Sequence, residues 1–221
     1  MEPIKFKDNS LSTQIAKRIT QQIISGELQP GEKLSEYMYA DEFGTSRAPV
    51  REALYLLTIE GLVERIPRKG ALVKGYTSSE ICDLLEIRTM LEELSMKRIA
   101  EHGVREISLE KMKTILQKMH TEQDSKQYTQ LNHDFHMCLI EMSGSEIISK
   151  MYERLEMPLL SIQNMSFSAV GKIEKSIREH KLLLQLLAEN QVQVAAELLN
   201  KHNRDVIKSI QEQIIEQQQK E

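Results

Sequence analysis

In residues 44–70, a pattern typical of a helix is followed directly by a pattern typical of strands. This combination restricts the fold more than any other feature of the chain. The apolar positions of the first part recur at i, i+3, i+4 and i+7, and they are Val50, Ala53, Leu54 and Leu57. Gly61 ends this pattern, and residues 63–73 then alternate apolar and basic positions, as the strands of a hairpin do. The segment therefore predicts a helix capped by Ser46, followed by a short two-stranded wing.

Basic residues give this segment a candidate function. Arg47 and Arg51 are four residues apart, so they share one face near the N-terminal end of the helix. With three basic residues of the wing they form a local cluster, whose other members are Arg65, Arg68 and Lys69. A helix that presents arginines beside a basic wing is suited to docking on a duplex. We therefore expect double-stranded DNA as a partner.

The residues upstream predict the rest of a DNA-binding domain. Residues 11–25 have a narrow apolar stripe typical of a helix, and Pro30 and Gly31 then provide a turn. Residues 34–43 are predicted to form a second short helix, and Gly44 the turn before the third. Helix, turn, short helix, turn, recognition helix and wing make a winged helix-turn-helix domain, which we assign to residues 1–75.

Length and charge are consistent with a two-domain DNA-binding protein but do not identify one. A chain of 221 residues is long enough for two domains. Residues 1–75 carry 11 Lys and Arg against 10 Asp and Glu, and residues 76–221 carry 18 against 23, for net charges of +1 and −5. Attraction to phosphate must therefore come from the local cluster.

Cysteine usage and hydropathy predict a cytoplasmic protein. Cys82 and Cys138 lie far apart without metal-type spacing, which favours a reduced compartment. No signal peptide and no apolar run of membrane-spanning length are present in the sequence. We expect a cytoplasmic, nucleoid-associated location and no membrane partner.

The second part of the chain is predicted to be entirely helical. After a linker at residues 76–79, apolar residues follow a helical period through residues 80–221. Six helices are predicted, at residues 79–102, 108–121, 125–142, 145–167, 170–189 and 192–217. The predicted fold class is mainly α, with an N-terminal winged helix-turn-helix and a C-terminal all-α helical bundle.

Three histidines of the bundle are candidate metal ligands. His136, His180 and His202 each continue an apolar stripe, on three different helices, and Asn132 lies four residues before His136. Any one of them alone is more simply a hydrogen-bonded core residue. Ligands that converge from facing helices are how bundles build metal sites, and imidazole suits Zn, Ni, Cu or Fe. The remaining histidines, His102, His120 and His133, are interpreted as surface residues.

Arg88 is a second polar residue at an apolar position. It lies among leucines and isoleucines on the first bundle helix. Its guanidinium can reach solvent or pair with Glu92 or Glu93. Alternatively, its planar fork can hold the carboxylate of a ligand. The sequence leaves both interpretations open.

Across nearly its whole length the chain resembles the GntR family of bacterial transcription regulators. The resemblance rests on residues 24–36, 44–54, 60–63 and 68–70 in the first part. The second part is similar to the FCD type of effector domain of the FadR subfamily, with matching positions at Arg88, Asn132, His136, His180 and His202. Six bundle helices look like the VanR-type branch.

The resemblance implies a role for each matching residue. The implied DNA-contacting set is Ser46, Arg47, Ala48, Arg51, Arg68, Lys69 and Gly70. The implied ligands of a divalent transition metal, Zn or Ni above all, are Asn132, His136, His180 and His202. The metal and Arg88 would together hold a small carboxylate effector. Two positions depart from the family pattern, Tyr37 where Arg is frequent and Asn132 where Asp is common.

The leading hypothesis is a homodimeric, metabolite-responsive repressor that reads a short imperfect palindrome and is not an enzyme. A metal-dependent hydrolase is the alternative, because three histidines with an open position are the pattern of catalytic zinc. Such an enzyme needs a general base, and Asp134 and Glu179 are the candidates near the histidines in sequence. A third hypothesis is an interaction protein with a structural metal and no effector response.

Overall fold

The computed structural model describes the backbone of residues 10–167 and 171–218, and the side chains of residues 10–162 and 171–213. The chain divides into two compact units, Met1–Gly75 and Tyr76–Glu221. The outermost residues of both predicted domains, 1–9 and 219–221, lie outside the described residues, as does the predicted helix start at Val170.

The described part of the first unit, residues 10–75, forms three helices and a small sheet. Its elements in chain order are α1 (Leu11–Ile24), β1 (Lys33–Leu34), α2 (Glu36–Glu42), α3 (Arg47–Ile59), β2 (Val63–Ile66) and β3 (Gly70–Val73). All pairings are antiparallel, in the order β1-β3-β2. The winged helix-turn-helix expected from the sequence is therefore confirmed.

The second helix begins later than the sequence predicts. Leu34 was expected to open it but lies in β1, where it pairs with Ala71 of β3. Helix α2 starts at Glu36, because the Ser35 hydroxyl accepts a hydrogen bond from the backbone N–H of Met38 and caps the helix. The predicted two-stranded wing is therefore part of a three-stranded sheet.

The core of the first unit lies between α1 and α3. The predicted apolar face of α3 is fully buried, with Val50, Leu54 and Leu57 at zero exposure. It packs against α1, whose Ile15 and Ile19 are equally inaccessible. Since this face is turned to α1, the arginines on the other side of α3 are left facing solvent.

Seven helices are described in the second unit. They are α4 (Ser78–His102), α5 (Glu106–Thr121), α6 (Ser125–Met142), α7 (Glu146–Glu153), α8 (Glu156–Phe167), α9 (Lys172–Ala188) and α10 (Val192–Gln218). The bundle is all-α as predicted, and no helix among the described residues is long and apolar enough to span a bilayer.

The prediction of six bundle helices is wrong at one place. Residues 145–167 were expected to form one helix, but they form α7 and α8, with a break at Arg154 and Leu155. Pro158 explains the break, since it has no N–H to donate and its ring excludes a helical carbonyl four residues earlier, at Arg154. With seven helices described, the helix count no longer favours the VanR-type branch.

Helix α4 carries several residues of the site and begins at a well-formed cap. The Thr77 side chain accepts a hydrogen bond from the backbone N–H of Glu80, and the Glu80 carboxylate accepts one from the backbone N–H of Thr77. This capping box starts the helix at Ser78, one residue before the predicted start at residue 79. Ser78 and Ser79 of the predicted linker therefore lie in the first turn of α4.

Helix α6 lies at the centre of the bundle. It packs against α4, α5, α7 and α8. A helix with neighbours on several sides is buried around most of its circumference, so polar residues on it must find partners inside the protein. These polar residues build the candidate site.

Candidate functional site

Three histidines from three helices meet in the interior of the bundle. His136 of α6, His180 of α9 and His202 of α10 are 0%, 1% and 4% exposed. One ring nitrogen from each lies within 4.8 Å of the other two. The Nε2 atoms of His136 and His180 are 3.2 Å apart. The structure therefore brings together the three imidazoles that the sequence placed on separate stripes.

Carboxylates lie beside two of the three rings. Glu179 Oε2 forms a hydrogen bond with His202 Nδ1 at 2.7 Å. Glu92 Oε1 lies 3.0 Å from His136 Nδ1, but this nitrogen has no hydrogen-bond partner among the described atoms. An imidazole that donates its Nδ1–H to a carboxylate keeps the Nε2 lone pair for a metal, which is the usual arrangement around protein metal sites. His180 has a different support, because its ring stacks on Phe135 with the centroids 4.4 Å apart.

Burial keeps these rings in the form that a metal requires. Desolvation lowers the pKa of His136 to about 4, although the nearby Glu92 carboxylate acts in the opposite direction. Desolvation and the neighbouring histidines hold the pKa of His180 well below its usual range. Both rings are therefore neutral at neutral pH, and a neutral imidazole is the metal-binding form.

The donor set fits a divalent transition metal. Two Nε2 lone pairs that face each other at 3.2 Å repel unless a proton or a cation lies between them. His180 Nδ1 is buried without a hydrogen-bond partner among the described residues, so this ring has few other ways to be satisfied. Asn132 is buried one helical turn before His136 on α6. Nitrogen-rich sets of this kind suit Zn or Ni.

Arg88 and Glu92 form a buried ion pair beside the histidines. Arg88 Nε donates to Glu92 Oε1 at 2.8 Å, and neither side chain is more than 3% exposed. The same carboxylate accepts from the Tyr152 hydroxyl at 2.9 Å and from Asn203 Nδ2 at 2.7 Å. Arg88 Nη2 and Asn203 Oδ1 are buried with no partner among the described atoms. The guanidinium is thus only partly used by Glu92.

Each charge of this ion pair stabilises the charged form of the other side chain. Burial alone would raise the pKa of Glu92, but the Arg88 guanidinium and His136 hold it well below its usual range. Burial likewise disfavours the charged form of Arg88, and the Glu92 carboxylate more than offsets this and raises the Arg88 pKa. Of the two interpretations that the sequence left open, pairing with Glu92 is present, and the Nη2 group of Arg88 has no partner among the described atoms.

His133 was predicted to be a surface residue, and this is wrong. It is buried, and its ring stacks on Tyr152 with the centroids 5.4 Å apart. Desolvation lowers its pKa to about 4. The error arises because α6 has neighbours on several sides, so a position off the main apolar stripe is also covered. His102 and His120 are exposed, as predicted.

The two candidate general bases have other partners. Glu179 holds the His202 ring, and Asp134 Oδ1 accepts a hydrogen bond from Gln130 Nε2 at 3.0 Å. Two residues of the site, Tyr152 and Asn203, were missed by sequence reasoning. Neither has a sequence signal, because each reaches Glu92 from a distant part of the chain, whereas Glu92 is a helical neighbour of Arg88.

The candidate DNA-contacting residues form an exposed surface on the first unit. All seven of them are exposed, namely Ser46, Arg47, Ala48, Arg51, Arg68, Lys69 and Gly70. The Arg51 guanidinium pairs with both oxygens of Glu36 at 3.1 to 3.2 Å. Arg65 of the wing donates to the Arg51 carbonyl at 3.3 Å. These contacts link the recognition helix to α2 and to the wing, and Glu36 was not identified from the sequence.

The tip of the wing has an unusual backbone. The N–H of Lys69 donates to the carbonyl of Ile66 at 3.1 Å, which closes a turn through Pro67 and Arg68. Arg68 has φ 68°, a left-handed conformation that glycine adopts more readily. A long basic side chain at this position is kept at some conformational cost, which is typical of functional turns.

Comparisons with known proteins agree with this organisation. Residues 11–73 match the family described as bacterial regulatory proteins, gntR family, and residues 83–205 match the FCD domain. The chain is 26% identical to the gluconate operon transcriptional repressor of Bacillus subtilis (strain 168), over 95% of this chain and 88% of that protein. It is 23% identical to the HTH-type transcriptional repressor RspR of Escherichia coli (strain K12), over 91% and 90% of the two chains.

A solved structure shares the fold. The putative transcriptional regulator GntR from Rhodococcus sp. RHA1 superposes with a TM-score of 0.77 at 20% identity. The match covers 90% of this chain and 96% of that one. Both units therefore have a counterpart of known structure.

The buried histidines predict how stability depends on pH. The unfolded chain protonates a histidine near pH 6.5, whereas His133 and His136 in the folded protein stay neutral down to about pH 4. The unfolded state binds more protons in this interval, so the free energy of unfolding should decrease as the pH falls from 6.5 towards 4. The expected loss is roughly 1 kcal/mol per pH unit for each histidine.

Urea unfolding of the chelator-treated protein at several pH values measures this dependence. His133→Phe should flatten it, and the exposed control His120→Gln should leave it unchanged. A His133→Phe variant with the wild-type pH dependence would contradict the assignment.

Proposed function

Because the chain belongs to the gntR family of bacterial regulatory proteins and carries an FCD domain, we propose that it is a repressor controlled by a small carboxylate bound at a metal site. The chain is a DNA-binding transcription regulator, not an enzyme, since the family consists of such regulators. The observation that carries the proposal is the buried histidine triad beside an incompletely paired Arg88.

The metal part of the proposal assigns four ligands, Asn132, His136, His180 and His202. The three imidazoles are supported by the distances between their ring nitrogens. Asn132 is assigned by its position one turn before His136, and its amide oxygen is a weaker donor than imidazole. A divalent ion, Zn or Ni, bound here would offer an open position to an oxygen of a ligand.

The effector part assigns Arg88 to the carboxylate of a small metabolite. Buried guanidinium N–H groups without a partner are unusual, and a planar carboxylate matches their geometry. The Bacillus subtilis relative is named for the gluconate operon, and gluconate is a hydroxylated carboxylate. An effector that binds one arrangement of the bundle more tightly shifts the population away from the DNA-binding state.

Repression and homodimerisation complete the proposal. Two of the relatives are named as transcriptional repressors. A winged helix-turn-helix reads one half-site, so a short imperfect palindrome requires a second copy of the chain.

An apolar surface that a second copy could cover is formed by exposed residues of two helices. They are Ile87, Met90 and Leu94 of α4 and Ile147 and Met151 of α7. The proposed location is the cytoplasm, where the operator is.

Arg51→Ala is expected to remove specific operator binding. A bidentate contact to a base is worth about 1–3 kcal/mol, so affinity for the selected operator should fall by roughly 10- to 100-fold. The measurement is binding to a duplex selected by the wild-type protein from a random pool, at one fixed salt concentration. Arg98→Ala, at an exposed position of α4, is the control. Equal affinities of the Arg51 variant and the wild type would contradict the assignment.

Lys69→Ala provides a comparison within the same assay. A phosphate contact weakens binding uniformly across sequences and reduces the salt dependence. If the Lys69 variant instead loses sequence preference and keeps the wild-type salt dependence, the wing reads bases directly.

His180→Ala is expected to lose most of the bound metal. Protein purified without chelator should carry about one divalent transition ion per chain, and removal of one of three imidazoles leaves too few strong donors. Elemental analysis and titration with Zn or Ni measure both quantities. His120→Ala, at an exposed position, should retain the metal. Wild-type protein that neither carries nor takes up metal would exclude the metal site.

Met90→Asp is expected to convert the dimer to a monomer, because it places a charge in the proposed interface. Sedimentation velocity distinguishes the two states. Ile107→Asp serves as the control, since Ile107 of α5 is the most exposed of the large apolar side chains described. If Ile107→Asp dissociates the dimer and Met90→Asp does not, the interface lies on α5.

A further inference from the structure

Glu92 contacts both halves of the proposed effector site. Its Oε1 atom accepts a hydrogen bond from Arg88 Nε at 2.8 Å and lies 3.0 Å from His136 Nδ1. The same oxygen also accepts from the Tyr152 hydroxyl at 2.9 Å. The carboxylate is completely buried.

Arg88 and Tyr152 donate hydrogen bonds to this one oxygen, and His136 Nδ1 lies close to it without forming a hydrogen bond. A carboxylate oxygen has two lone pairs, which Arg88 and Tyr152 already use, so a hydrogen bond gained from His136 weakens the other two. When Nε2 of a histidine binds a cation, its Nδ1–H becomes a stronger donor, because the cation withdraws electron density from the ring. A metal at the triad therefore draws the His136 Nδ1–H into a hydrogen bond with Glu92 and weakens the contact from Arg88.

We propose that Glu92 is the positioning residue that couples metal binding to effector binding. Through its Oε1 atom, an occupied triad releases the Arg88 guanidinium for the carboxylate of an effector. The coupling is positive and reciprocal, so the effector also raises the affinity for the metal by the same factor. This inference rests on the proposed function, and it adds how the two parts of the site communicate.

The remaining contacts of the carboxylate make a conservative test possible. Glu92 Oε2 accepts from Asn203 Nδ2 at 2.7 Å, and Asn203 Oδ1 is buried without a partner among the described residues. In Glu92→Gln, a rotation of the Asn203 amide by half a turn lets the new side-chain NH2 group donate to that oxygen. The variant keeps the shape of the wild-type side chain and removes its charge.

The first experiment is a titration of the metal-free full-length protein with Zn alone. Glu92→Gln should weaken Zn binding by about 10- to 100-fold, as other losses of a carboxylate behind a ligand histidine do. Glu93→Gln, the same change at the next residue of α4, should leave the affinity unchanged. Tyr152→Phe removes one competitor for Oε1, so it should strengthen Zn binding in the wild-type background and have no effect in the Glu92→Gln background.

The second experiment observes Arg88 directly. The Nε–H resonance of Arg88 is assigned from its loss in Arg88→Lys, and Zn should shift it in the wild type and in Glu93→Gln. In Glu92→Gln, Zn at saturating concentration should no longer shift it. If Glu92→Gln does not fold, the Zn titrations of the wild type and of Tyr152→Phe still test the coupling.

The outcomes separate this inference from the proposed function. Wild-type protein that binds no Zn excludes the metal site itself. Wild-type protein that binds Zn, with an unmoved Arg88 resonance and with Tyr152→Phe of wild-type affinity, excludes the coupling and leaves the metal site standing. A purely structural role of Glu92 would lower stability in Glu92→Gln without any change in Zn affinity.

Discussion

The buried Glu92 carboxylate is the interaction on which the organisation of the bundle depends. Removing a carboxylate from water is unfavourable by several kcal/mol, about as much as strong internal contacts can return. Hydrogen bonds to Glu92 from Arg88 of α4, Tyr152 of α7 and Asn203 of α10 offset this loss. Glu92 also lies beside His136 of α6. Four helices are therefore aligned around one side chain.

Such a network is poorly explained by stability alone. Apolar side chains of similar volume often stabilise a core as well as a buried ion pair does, or better. The network also leaves Arg88 Nη2 and Asn203 Oδ1 without partners among the described residues, which an optimised core would avoid. Incomplete pairing next to three converging imidazoles is typical of a binding site. This combination is the physical basis of the proposed metal-dependent effector response.

The DNA-binding unit uses local contacts in place of a strong overall charge. The net charge of the whole chain is −4, so long-range attraction to DNA is weak. Glu36 holds the Arg51 guanidinium in a bidentate pair, and Arg65 ties the wing to the backbone of the recognition helix. The ion pair fixes the orientation of the Arg51 guanidinium, and the proposed DNA contact must displace one half-buried carboxylate.

Local patterns in the sequence determined the fold class, the recognition helix, the wing and the inward stripes of the bundle, because each depends on residues within one or two turns of each other. They failed where a neighbour in space decided the outcome. Leu34 joined a strand because β3 was available to pair with it, and His133 was buried because α6 is surrounded by other helices. Pro158 carried a local signal for the break between α7 and α8, since a missing N–H acts within one turn. The sequence placed His136, His180 and His202 on inward stripes of three helices. The distances between them, and the recruitment of Tyr152 and Asn203 to Glu92, were decided by the tertiary structure, because helix packing sets the distances between residues far apart in the chain.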